Sequence, residues 1–141
     1  MNPIHSTLRT TRILYVVLLG LVAICFYTCY RQAPVERPLS PVLIAAVAFV
    51  CLNDLGVAVF LRHRTVRPSV ERLFANSDDA VALKQWQNGV ILTLAMAFTT
   101  VLFGVTLKLL GAGWNIVSWF FAAGVVVLPA WAPKLDIPTV D

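Results

Sequence analysis

No charged residue occurs between Lys84 and Lys108, and that long neutral run limits what the chain can fold into. It opens with Trp86-Gln-Asn-Gly, continues through apolar and small residues, and closes beyond Lys108 at Gly111-Ala112-Gly113. Six small residues, Gly89, Thr93, Ala97, Thr100, Gly104 and Gly111, recur at helical spacing. At about 100° per residue they fall in one stripe roughly 80° wide. Ile91, Leu94, Phe98, Leu102, Val105 and Leu109 fall opposite. The pattern predicts a helix with a small-residue seam for another helix and a bulky face for lipid.

The rest of the chain suits the same solvent. Of 141 residues, 59% are hydrophobic and only 13% charged, and the mean hydropathy of +0.80 is that of a chain surrounded by lipid. One domain fits this length. Four spans are expected, at about 13–30, 41–61, 86–110 and 114–131, with a cytoplasmic loop over 62–85. The expected fold is all-α, a four-transmembrane-helix bundle running antiparallel, up and down. Arg9 and Arg12 precede the first span, and no small-x-small cleavage site follows it, so it is expected to remain uncleaved. The second reading of this segment is a signal anchor removed in some contexts. Tyr27 and Tyr30 suit the interface, as do Trp86, Trp114 and Trp131.

Pro34, Pro38 and Pro41 make the first connector extended, and Ser40-Pro41 is a helix start. Pro68-Ser69 is expected to begin a short surface helix with Val70, Leu73 and Phe74 on one face. Ser77 or Asp78 is expected to cap the following helix, with Asp79 favouring its positive end.

Charge sets the expected orientation. Arg9, Arg12, Arg62, Arg64, Arg67, Arg72, Lys84 and Lys134 fall on one side of four spans, and Arg31, Arg37 and Lys108 on the other. The positive-inside rule therefore puts both termini in the cytoplasm, in a bacterial inner membrane. Lys108 is expected to snorkel to the headgroups.

Asp54 is the only acid inside an apolar run, about 12 Å beyond Arg62 along the helix. Burying a charge there costs about 2.5–3.5 kcal/mol on insertion scales, so the residue requires a partner. Counting inward from Lys84 puts Thr93 at a similar depth, and its hydroxyl is the expected partner. Asn53 adjoins the pair, and Gln87 or Asn88 is a further neighbour. Asp54 reads either as a structural pin between two helices or as a proton or ion site.

The remaining inventory excludes most chemistry. Cys25, Cys29 and Cys51 do not compose a disulfide framework, and neither His5 nor His63 has a partner at ligand spacing, so no metal site is expected. No phosphate loop, paired carboxylate or nucleophile motif is present, so neither a catalytic residue nor a cofactor is expected. The basic residues lie in loops without interleaved aromatics, which argues against nucleic acid.

The run from Lys84 through Gln85-Trp86-Gln87-Asn88-Gly89 to Gly104 resembles a pattern in small, uncharacterised four-span bacterial inner-membrane proteins. Those are faintly similar to the proteolipid (c-type) subunits of rotary ATPases, in which a membrane glutamate carries the ion. Phe98 stands where that glutamate is expected, so the resemblance implies a four-span architecture and does not carry over the ion site. The first functional expectation is a structural or accessory subunit of a homo-oligomer or larger membrane complex. Its partners would be lipid, itself and other membrane subunits. The alternatives are proton or ion translocation through Asp54 and, third, small-molecule export by a dimer.

Overall fold

Among residues 3–31, 39–76 and 78–132, which the computed structural model describes, there is no strand. The helices are α1 (Pro3–Arg31), α2 (Pro41–Leu61), α3 (Arg67–Ala75), α4 (Ala80–Leu109) and α5 (Trp114–Ala130). Three helical stretches, Ile4–Arg31, Pro41–Ala75 and Ala80–Leu109, are long and apolar enough to cross a membrane. The 17-residue α5 is a shorter apolar helix.

The second stretch departs from expectation. Arg62–Arg64 do not close the helix: α2 passes through a π-helical turn, Arg62–Val66, directly into α3. The amide of Arg67 bonds back to the Arg62 carbonyl, five residues earlier. Pro68 gives the physical reason, since it has no N–H to donate and its ring crowds the carbonyl four residues before it. A wider turn accommodates the ring, and the Ser69 hydroxyl donates to the Thr65 carbonyl at 2.6 Å. Pro68-Ser69 therefore sits inside a helix, not at the start of a separate one. Nor is α3 confined to a surface: Leu73 is fully buried against the core, while Phe74 is exposed.

Both ends of α4 are chemically defined. Asp79 is the N-cap, its Oδ1 accepting from the amides of Val81 and Ala82, each at 3.0 Å. Such a cap contributes about 1 kcal/mol. Asp78, one of the expected caps, instead donates its backbone N–H to Asn76 Oδ1 at 3.2 Å; Ser77, the other, lies outside the described residues, as do the proline connector at 32–38 and the tail from 133. At the far end Gly111 has φ 102°, the left-handed conformation that glycine adopts without strain. It lets the Ala112 amide reach the Leu107 carbonyl at 2.9 Å and the Gly111 amide reach Lys108 at 3.0 Å. These two bonds form a Schellman closure. Gly111 thus belongs to the turn and not to the helical seam.

α4 is the hub of the fold. α1, the α2–α3 rod and α5 each pack on it, whereas α1 and α2 do not pack against one another among the described residues. Its small residues meet two different neighbours. Gly89 faces the π-helical turn, with the positions of Val66 and Thr65 leaving no free room for a side chain. Gly104 faces α5, where an added Cβ would lie 3.0 Å from Phe120 Cβ. Val101 in turn packs on the bare Gly124, so α5 runs antiparallel to α4.

Because α4 is covered from several sides, the simple division into seam and lipid face is corrected. Leu94, placed on the lipid side by periodicity, is completely buried, whereas Leu102 and Leu109 are exposed. Trp86, expected to meet the interface, is 1% exposed and packs in the core. At the other end Phe26 stacks on Trp114 at 5.6 Å and meets Phe121 edge-on at 5.5 Å, fastening α1 to α5. The Lys108 ammonium lies 5.5 Å from the Trp114 ring centroid, a cation–π contact in this cluster.

Candidate functional site

On α2 the less exposed positions, Ile44, Val47, Ala48, Cys51, Asp54, Leu55, Ala58 and Leu61, recur every three or four residues. They form the stripe turned toward α4, and Asp54 stands at its edge, half-buried. The direction expected of Asp54 is therefore found, but the expected partner is not. Thr93 is buried and its hydroxyl donates to the Val90 carbonyl of its own helix at 2.9 Å. Asn53 is exposed and its Nδ2 donates to the Phe49 carbonyl, also at 2.9 Å. Among the described residues Asp54 makes no hydrogen bond or ion pair.

Register explains the miss. Val66 lies against Gly89, and Cys51 shares a groove with Thr100, so α2 descends as α4 rises. Interpolating between those two contacts sets Thr93 near the level of Phe60 and Asp54 near that of Phe98, so the two residues stand more than one helical turn, about 8 Å, apart along the axis. Gln87 is also elsewhere, in a shallow pocket with Thr7, Asp78 and Lys84 beside the start of α4, and Asn88 is exposed.

The less obvious feature is Thr100. Among the described residues its Oγ1 is the only buried side-chain oxygen or nitrogen without a hydrogen-bond partner. Leaving such a group unpaired costs about 1–3 kcal/mol. Thr100 lines an open groove of about 250 Å³ between α2 and α5, with Cys51, Leu52, Leu55, Trp119 and Phe120. Leu52 and Trp119 flank it with 69% and 76% of their surface exposed. The sequence placed Thr100 in the seam, but nothing in its spacing shows that α2 and α5 stand apart there.

The three cysteines are free thiols, Cys29 and Cys51 buried and Cys25 half-buried. No cluster of three or more potential metal ligands occurs among the described residues. Searches against protein families, curated proteins and solved structures found no match.

Proposed function

We propose that this chain is a small structural or accessory membrane subunit that assembles with further helices, its own copies or those of a larger complex. In this reading four spans cross a bacterial inner membrane in alternating directions, and both termini face the cytoplasm. The observation that carries it is the groove between α2 and α5, where the Thr100 hydroxyl is buried and unpaired. In lipid, helices associate through close packing and interhelical hydrogen bonds. The groove offers the first, and the buried Thr100 hydroxyl would offer the second once its side chain turned toward an incoming helix. An incoming helix that places a polar group against Thr100 would complete the packing of α4.

A photoreactive side chain tests this in the intact membrane. Replacing Leu52 or Trp119 should give a discrete cross-linked product, and replacing Val125, exposed on the edge of α5 turned away from the groove, should not. Equal labelling at all three positions, or none at 52 and 119, would reject the assembly reading.

A second reading has its own observation. Asp54 lies on the α4-facing stripe and makes no hydrogen bond among the described residues, and an ionisable side chain within an apolar span marks a functional site by default. Proton or ion translocation through Asp54 is the alternative that this supports.

A further inference from the structure

The π-helical turn produces a second feature, at the basic end of the molecule. A pocket of about 300 Å³ opens where the turn, α3, α4 and the end of α5 converge. Its polar wall carries Arg62, His63 and Arg67, and its apolar wall includes Val66, Trp86 and Trp131. No carboxylate lines it. Among the described residues neither Arg62 nor Arg67 forms an ion pair. Arg62 is half-buried, its guanidinium 5.9 Å from the Trp131 ring centroid. Among the described residues one flank of the pocket is thus cationic with no acid against it, and the other is aromatic and aliphatic.

From this geometry we infer that the pocket binds the phosphate of an anionic phospholipid. Arg62 and Arg67 offer planar N–H groups, which suit paired hydrogen bonding to phosphate oxygens. They stand where apolar spans give way to a polar segment, the level of a phospholipid headgroup. The volume matches the lower end of small-ligand sites. The valine and tryptophan wall gives the glycerol and upper acyl chain an apolar surface, which an inorganic ion would not use. Pro68 is the origin of the site, since the wide turn it demands sets the register at which Arg62, His63 and Arg67 share one opening. π-Helical insertions of this kind recur at functional sites. This inference is independent of whether the groove at Thr100 is filled by another helix.

The test is lipid retention by the full-length protein, read by native mass spectrometry in neutral detergent. Dioleoyl phosphatidylglycerol and dioleoyl phosphatidylcholine are titrated separately. The wild type should retain phosphatidylglycerol at lower concentration than phosphatidylcholine, and Arg67→Gln should weaken that retention about fivefold. Arg62→Gln combined with Arg67→Gln should abolish the preference, while Arg9→Gln with Arg12→Gln should leave it unchanged. Arg67 is exposed, so its single variant should fold as wild type does and give the reading even if the double variant does not. Inorganic phosphate in millimolar excess should not displace the lipid. Displacement by phosphate would overturn the lipid assignment in favour of a soluble anion, and equal retention of the two lipids by wild type would overturn the site.

Discussion

Val66 of the π-helical turn fills the notch left by Gly89: a Cβ on Gly89 would stand only 2.8 Å from Val66 Cγ2. Val66 is itself buried, so the backbones of α4 and the α2–α3 rod approach as closely as they do because residue 89 has no side chain.

That contact gives a stability ranking. Gly89→Leu and Gly104→Leu should each destabilise the fold by about 1–3 kcal/mol, the usual cost of overpacking. Gly56→Ala should be neutral or stabilising by up to about 1 kcal/mol, because nothing lies within 4 Å of the added methyl. Leu102→Ala, on the exposed side of α4, should matter little. Thermal unfolding in detergent reads this order, and a more damaging change at Gly56 than at Gly89 would show that the helices meet elsewhere.

Thr100→Val separates the fold from its assembly. The change keeps the shape and removes an unpaired buried hydroxyl, so the isolated chain should gain about 1 kcal/mol in stability. Cross-linking from positions 52 and 119 should fall at the same time, because the incoming helix loses its polar contact. A variant less stable than wild type would mean that the hydroxyl is already bonded within the single chain.

Asp54→Asn distinguishes the two functional readings. It preserves the side-chain shape and cannot exchange a proton in the same way. Under the assembly reading, folding and cross-linking remain as in wild type, and proteoliposomes of either protein carry no pH-driven flux. A wild-type flux abolished by this substitution would establish the translocation reading instead.

Orientation is testable without purification. Reporter fusions near Asn76 and after Asp141 should be active only as cytoplasmic reporters. Periplasmic phosphatase activity at either position would overturn the proposed topology.

Periodicity made α4 legible from sequence, because small residues aligned at 3.6 per turn identify a close-packed face whatever packs there. It did not show that Gly89 and Gly104 serve different neighbours. Leu94 was misplaced for a related reason: in a membrane, core and lipid are both apolar, and hydropathy does not separate them. Pro68 was read by the common rule that proline opens a helix, yet here a helix already under way absorbs it by widening one turn. The same continuation displaced the Asp54 partner, since the depth of Asp54 is counted from Arg62 as though the helix ended there. The groove at Thr100 depends on a gap between helices distant in sequence, for which no local pattern exists.

The hub arrangement also orders events in time. α1 and α2 leave the ribosome before α4, yet they have no contact surface for each other among the described residues. Each must wait in the bilayer as a solitary rod, held by its own backbone hydrogen bonds, until α4 has been synthesised and inserted. Tertiary structure therefore begins only when the helix ending at Leu109 arrives, and a nascent chain stopped before Ala80 has inserted segments but nothing to fold around.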